Sequence, residues 1–436
     1  MENDFVKLKN PLNRKITLFD NRFMHPIIKY RNYAIIILGR FLNNIATFTQ
    51  SVAIGWQVYT IARLTHSIEQ SSFLVGMVGL AQFAPLFALA LIAGETADRY
   101  DRRKILMTCG ILQMACAIAF TILALGSAPS LTAIFIVAGF YGVSRAFSGP
   151  AMSALAPSLV PASVLPRAIP WNTLSVQCGM ILGPWIGGIL CSQSNTLPYI
   201  FSGILYFLSF LTGVYLMFQP INAHGESRGE RRMTMIKEGL AYLWQNKIVL
   251  GAISLDLFAV FLGGATALLP VYARDILDIG PHGFGILRSG PAIGAGVVTL
   301  ILSRHPITRN TGPWMLWAVI IFGIATIIFA VSKTVWLSVA MLVILGAADS
   351  ISVFVRQSLV QILTPNRMRG RVSAVSGLFI SASNELGEFE SGTAARIFGP
   401  VGAVIFGGVG SIVITGIWAK IFPALRKADK LAPPEM

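Results

Sequence analysis

The chain has 436 residues, 54% of them hydrophobic and only 12% charged, with a formal net charge of +15. A soluble domain carries about 25% charged residues, so an ordinary water-soluble globule is excluded, and the apolar content excludes a disordered chain. A polytopic membrane protein remains, with a mean hydropathy of +0.68.

The first 32 residues are polar and basic and lack the pattern of a cleavable signal peptide; they read as a cytoplasmic N-terminal tail. Apolar segments long enough to span a bilayer as helices follow at 33–61, 72–97, 105–127, 131–156, 170–192 and 198–218. A hydrophilic stretch, 219–247, reads as a cytoplasmic linker. The spans then resume at 248–273, 283–303, 313–332, 335–363, 372–395 and 398–422, and 423–436 forms a C-terminal tail. Backbone groups in lipid must be satisfied within each segment, so all twelve are predicted helices. The organisation expected is a six-helix bundle over 33–218 and a second over 248–422.

Basic residues orient the chain. They crowd the N-terminal tail (Lys7 to Arg31), the loop with Arg99, Arg102, Arg103 and Lys104, the linker, and the C-terminal tail, whereas the opposite side keeps Arg63, Arg274, Lys333 and Arg396. Both termini are therefore predicted in the cytoplasm, and the positive charge is a topology signal rather than a nucleic-acid surface. Cys109, Cys116, Cys178 and Cys191 lie in apolar runs without metal or disulfide spacing, and read as small buried hydrophobes.

Sliding the sequence by 204 residues matches Gly142 with Gly346, Pro161 with Pro365, Arg167 with Arg371, Gly183 with Gly387 and Gly188 with Gly392. Parallel repeats of six helices, with a substrate site at the repeat interface, are the architecture of major facilitator transporters. Three motifs carry the same resemblance. Gly94-Glu95-Thr96-Ala97-Asp98-Arg99-Tyr100-Asp101-Arg102-Arg103 resembles the family's signature between the second and third helices, with Asp101 where the general pattern has glycine. Its implied role is a cytoplasmic latch between bundles, with Asp98 capping a helix or pairing with basic groups. Gly179-Met180-Ile181-Leu182-Gly183-Pro184-Trp185-Ile186-Gly187-Gly188 resembles the antiporter motif of the drug–proton antiport branch; Gly179, Gly183 and Gly187 form one smooth helix face. The stretch from Met368 through Gly392, with Leu255-Asp256-Leu257-Phe258, looks like the enterobactin-exporter-like branch. The resemblance implies an all-α major facilitator fold of twelve transmembrane helices in two six-helix pseudo-symmetric bundles, in the inner membrane.

Ionisable side chains at mid-bilayer are costly and face a cavity or a partner. The set here is Arg40, Arg145, Asp256, Arg288, Asp349, Arg356, Glu385, Glu388 and Glu390. The 204-residue shift lays Asp349 over Arg145, so these two are expected to face a central cavity and to pair in one state. Glu385 and Glu388, one helical turn apart, are the candidates for the coupling proton or for a cationic substrate group; the bland alternative has them bonded within the interface of the tenth and eleventh helices or paired with Arg356. Arg40 and Asp256 lie about 12 Å inside their helices and are candidate gates. Arg40 and Arg288 have snorkelling to the interface as the simpler reading. Gln50 and Gln57 read as a cavity stripe, and Trp56, Tyr59, Trp171, Trp314, Trp317 and Trp336 as an interfacial belt.

No Gly-Lys dipeptide exists, which disfavours a P-loop, and no histidine precedes a glutamate. Gly225-Glu226-Ser227-Arg228-Gly229 matches a nucleophile-elbow pattern without the required strand. No enzymatic activity, catalytic residue, metal or cofactor is expected. The reading is a monomeric secondary-active exporter of a small amphipathic molecule of drug or siderophore type. It works in the lipid bilayer by alternating access, driven by protons or another ion. The alternatives are a lipid or metabolite transporter of the same fold and a transport-inactive membrane sensor or enzyme.

Overall fold

The structure, a computed structural model, describes residues 29–126, 130–218 and 232–429. The basic tail before residue 29, the serine motif at 225–229 and residues from 430 onward lie outside the described residues.

The described chain is helical throughout. The first half comprises α1 (Arg31–Ala62), α2 (Ile68–Arg99), α3 (Arg102–Leu125), α4 (Leu131–Ser158), α5 (Leu165–Gln193) and α6 (Leu197–Met217). Then come α7 (Arg232–Gln245), α8 (Lys247–Leu262), α9 (Gly280–Arg304), α10 (Thr311–Val331), α11 (Val335–Leu363), α12 (Asn366–Ile421) and the short α13 (Pro423–Arg426). Beyond α8 the seventh span continues through a 3-10 turn (Ala265–Leu268) and a π turn (Tyr272–Ile276). Within α12, Gly399 takes a left-handed φ of 73° just before Pro400, and the helix doubles back as two legs. That conformation is open to glycine and strained for other residues.

Ten helices among the described residues are long and apolar enough to cross a membrane, α12 counted once. α1 is 32 residues long and dilutes its apolar content with Arg40, Asn43, Asn44, Gln50 and Gln57. With α1 and both legs of α12 the arrangement is consistent with twelve crossings. Both ends of the described chain then lie on one face, here the terminal face; the other is the distal face.

Sequence chemistry sets the helix ends. Ser67 and Gln70 form a reciprocal capping box at α2. Asp101, not Asp98, caps α3: its carboxylate accepts from the Arg103 N–H at 2.9 Å and from the Arg103 guanidinium at 2.8 Å. The position that departs from the family signature is thus occupied by a helix cap. Part of the hydrophilic stretch is also helical: α7 buries Leu243 against Val249, Val372 and Val375, and Glu238 accepts from Arg371.

The halves pack alike. α1 lies on α5 and α6, and α4 on α2 and α3; α8 lies on α12, and α11 on α9 and α10. The matched glycines do matched work. A Cβ on Gly142 would meet Gln82 Cα of α2 at 3.0 Å, and one on Gly346 would collide with Pro291 of α9. Gly183 is pressed on α1, where an added Cβ would lie 3.1 Å from Thr49 N, and Gly387 on α8, where one would lie 2.9 Å from Phe261 O. Gly188 and Gly392 make the crossings between bundles: a Cβ added to either would lie only 2.9 Å from the Cα of a facing glycine, Gly285 and Gly76 respectively. Such close backbone approach substitutes dispersion contacts for the hydrophobic drive that lipid does not supply.

Burial is uneven along the membrane normal. One apolar cluster runs through both bundles toward the distal face, joining Ile54, Val58 and Tyr59 to Leu268, Tyr272, Phe284 and Phe329. Toward the terminal face the clusters belong to single bundles: Tyr33, Ile37, Leu155 and Leu216 in the first, Leu255, Met315, Val355 and Leu359 in the second.

Candidate functional site

Between the bundles lies a cavity of about 450 Å³. α1 contributes Thr47, Phe48 and Ser51; α4 contributes Tyr141 and Arg145; the seventh span Gly263, Gly264 and Thr266; and α11 Gly346 and Asp349. Gln82, Pro184, Arg288, Asn384, Glu385 and Glu388 close its sides.

The cavity is built around two ion pairs. Arg145 of the first bundle meets Glu385 of the second at 2.8 Å, and its guanidinium also donates to Gln82 Oε1 at 3.0 Å. Arg288 meets Glu388 at 3.1 Å and donates to the Thr266 carbonyl at 2.7 Å. That carbonyl also accepts from the Leu269 N–H of the 3-10 turn, and the residue four positions on, Pro270, has no N–H to offer it. Tyr141 donates to Thr47 Oγ1 at 3.0 Å, and its hydroxyl lies 3.0 Å from that of Tyr206.

Several expectations are corrected. Arg145 and Asp349 both line the cavity as expected, and in this state Arg145 is bonded to Glu385 rather than to Asp349, because α12 brings that carboxylate across the bundle interface. Glu385 and Glu388 do not pair with Arg356. Arg356 meets Asp256 at 3.3 Å in the second bundle, both nearly fully buried, and Ser352 donates to that carboxylate at 3.4 Å. Arg288 does not snorkel: its bonds run inward to Glu388 and Thr266. Gln50 and Gln57 line no part of the cavity; Gln57 accepts from the Tyr199 hydroxyl at 2.5 Å and Gln50 is fully buried. Glu390 is absent from the cavity lining and accepts from Ser391 at 3.4 Å.

Gly179, Gly183 and Gly187 face α1, whereas Pro184 and Gly188 face α9. In the loop motif, Gly94 and Ala97 are buried, and Arg102 donates to the carbonyls of Ala97 and Ala154 at 3.3 Å each. Arg103 donates to the Leu216 carbonyl at 3.0 Å, and Arg99 meets Glu95 at 2.5 Å. These bonds lie within the first bundle. Asp98 is half-buried at the end of α2. Arg40 lies in a separate cleft of about 180 Å³.

Tyr59, expected in the interfacial belt, is instead fully buried, and with Arg63, Arg274 and Asp275 it joins the bundles at the distal face. The Tyr59 hydroxyl donates to Asp275, Arg63 meets the same carboxylate at 3.5 Å, and Arg274 donates to the Thr60 carbonyl at 3.4 Å. Trp56 stacks on Phe284, while Trp314, Trp317 and Trp336 are exposed as belt residues should be. Nearer mid-depth, Gln177 donates to the Ala292 carbonyl at 2.5 Å and Ser289 to that of Ile181 at 2.9 Å. Of this seal the basic-residue pattern marks Arg63 and Arg274 as charges on the side opposite the basic loops, and passes over Asp275.

Similarity to known proteins agrees with this architecture. Among solved structures, a POT family transporter in complex with a thioalcohol-conjugated peptide superposes with a TM-score of 0.72 at 14% identity, covering 91% of this chain and 97% of that one. A D-xylose–proton symporter gives 0.68 at 15% identity over 91% and 98%. A bacterial homologue of the human lysosomal transporter Spinster, inward-facing and occupied, gives 0.67 at 17% over 91% and 96%. These likenesses show the major facilitator fold. Enterobactin exporter EntS of Shigella boydii serotype 18 is 25% identical over 372 residues, 85% of each chain, and that of Escherichia coli O1:K1 is equally similar. Residues 25–434 match a single family description, and with the two bundles and their central cavity in place the chain is a multi-pass membrane transporter belonging to the transmembrane secretion effector family.

Proposed function

We propose that the protein exports a small amphipathic molecule, of the siderophore or drug type, from the cytoplasm across the inner membrane by alternating access coupled to protons. The observation that carries this reading is the Arg145–Glu385 ion pair, 2.8 Å long, joining the two bundles inside the cavity. An ion pair out of water holds only while both partners stay charged. A proton on Glu385 therefore removes the charge pairing with Arg145 and leaves at most a weaker hydrogen bond, which couples protonation to the relation between bundles. Glu388 and Arg288 form the adjacent pair on the second bundle, and Asp349 completes the polar wall.

The seal near the distal face, and the split of the apolar core toward the terminal face, support an inward-facing state with the terminal face in the cytoplasm. Gly188 and Gly392 form the crossing points on which the bundles rock, and the Asp98 loop is the latch on the opposite side once the terminal face closes. The siderophore class rests on similarity to the enterobactin exporters.

The test is efflux from a strain lacking the gene, complemented with wild type, Glu385→Gln or Glu388→Gln, with siderophore secretion and drug susceptibility as readouts at several pH values. The glutamine variants are expected to lose the pH dependence of efflux. Retention of wild-type pH dependence by both would remove the carboxylates from the coupling role.

A further inference from the structure

Arg40 differs from the other arginines set deep in the spans. Arg145, Arg288 and Arg356 each meet a carboxylate within 3.3 Å. Among the described residues, no hydrogen bond or ion pair joins Arg40 to anything. Its guanidinium is nonetheless held nine residues beyond the start of α1, about 13 Å along the helix axis. A charge at such depth needs a partner or water.

Its surroundings are built for a negative guest. The cleft around Arg40 lies between α1 and α6 on one side and α3 and α4 on the other, and no acidic residue lines it. Polar side chains do: Asn43, Asn44, Gln113, Ser148, Ser153 and Ser209. Some are already satisfied within the bundle. Asn43 donates to Gln113 Oε1 at 2.7 Å, and Ser209 to the Gly39 carbonyl at 2.9 Å. The five N–H groups of Arg40, the Gln113 amide nitrogen and the Ser153 hydroxyl remain as donors for a guest. The volume, about 180 Å³, equals that of about six waters, room for an oxyanion and part of its hydration.

The position is also significant. Thr47 and Ser51 of α1, and Tyr141 and Arg145 of α4, line the central cavity. One to two turns nearer the terminal face on the same helices stand Arg40 and Asn44, and Ser148 and Met152, of the cleft. The cleft thus continues the cavity's two polar stripes toward the terminal face.

We infer that the Arg40 cleft is an oxyanion-binding site on the approach to the central cavity, taking a carboxylate or phosphate group. That group belongs either to a soluble molecule on its way inward or to the headgroup of an acidic phospholipid. The inference goes beyond the export reading and stands without it, because it concerns binding in the resting protein.

The experiment uses the full chain with its four cysteines replaced by serine or alanine and Ser153→Cys as reporter, reconstituted in phosphatidylcholine vesicles. The reporter is labelled with anionic, cationic and neutral methanethiosulfonate reagents. The anionic reagent is expected to react about tenfold faster than the cationic one, as a nearby guanidinium at intermediate dielectric implies. Adding Arg40→Gln should remove that preference and leave the neutral rate unchanged, which shows that the cleft is intact. Inorganic phosphate slowing the anionic reagent identifies a soluble oxyanion as guest; slowing only when phosphatidylglycerol is included identifies a lipid headgroup. The same preference with glutamine at position 40, or a preference that neither phosphate nor acidic lipid reduces, would overturn the proposal. Loss of efflux coupling in the glutamate variants leaves these rates untouched, so the two readings fail separately.

Discussion

Arg145 and Glu385 sit on different bundles and meet inside the cavity, where Glu385 is mostly buried and Arg145 is 34% exposed. Removing one partner of such a pair costs more than removing both. Arg145→Ala is therefore expected to reduce efflux at least about tenfold. The exchange Arg145→Glu with Glu385→Arg should recover part of it, as measured in everted vesicles; full activity of both single variants would remove the pair from the mechanism. Asp256 and Arg356, both nearly fully buried within the second bundle, make a contrasting case. Arg356→Ala leaves an unpaired carboxylate and should destabilise the protein by about 3–5 kcal/mol. Thermal unfolding in detergent checks this, with Asp256→Asn in the same chain restoring much of the loss. Among these charges the sequence disclosed which residues are expensive but not which partners they take. Periodicity gives a side chain's azimuth on its own helix; the partner depends on how two helices from different bundles face each other. Gln50 and Gln57 show the same limit, since a shared helix face says nothing of which neighbour covers it.

The helices illustrate what pattern can give. The spans were legible from apolar length alone, and the 204-residue shift picked out glycines that perform equivalent contacts in both halves. Gly183 and Gly387 seat the fifth and eleventh crossings on the first and seventh, while Gly188 and Gly392 bring the bundles to backbone contact. Less legible was the seventh span: Gly263, Gly264 and Pro270 mark the change of helix type after Leu262, but none of them announced that the Thr266 carbonyl would accept from Arg288. The glycine crossings make a prediction at this scale. Gly188→Leu places a branched side chain against Gly285 and should wedge the distal face apart, raising the reactivity of a cysteine at Trp56 toward impermeant reagents from that side several-fold. Unchanged reactivity with normal folding would show the crossing to be a passive contact. At α3, Asp101→Ala removes the helix cap and a clamp on Arg103, at a cost of about 1 kcal/mol read as a lowered unfolding temperature.

Across the whole molecule, the apolar core is shared by both bundles toward the distal face and divided between them toward the terminal face. The named bonds between bundles follow the same gradient, from Arg145–Glu385 at mid-depth to Tyr59–Asp275 at the distal end. Composition anticipated a membrane bundle; the proposed inward-facing state rests on this asymmetry, which belongs to packing rather than to any segment. The most direct test is the accessibility of the cavity residue Asn384, exposed within the structure, replaced by cysteine in a chain without its four native thiols. Labelling with a membrane-impermeant thiol reagent in inside-out and right-side-out vesicles, with and without an imposed proton gradient, follows the opening of each face. Labelling is expected from the terminal face at rest and from the distal face once the gradient is applied. Labelling from the same single face under every condition would contradict it.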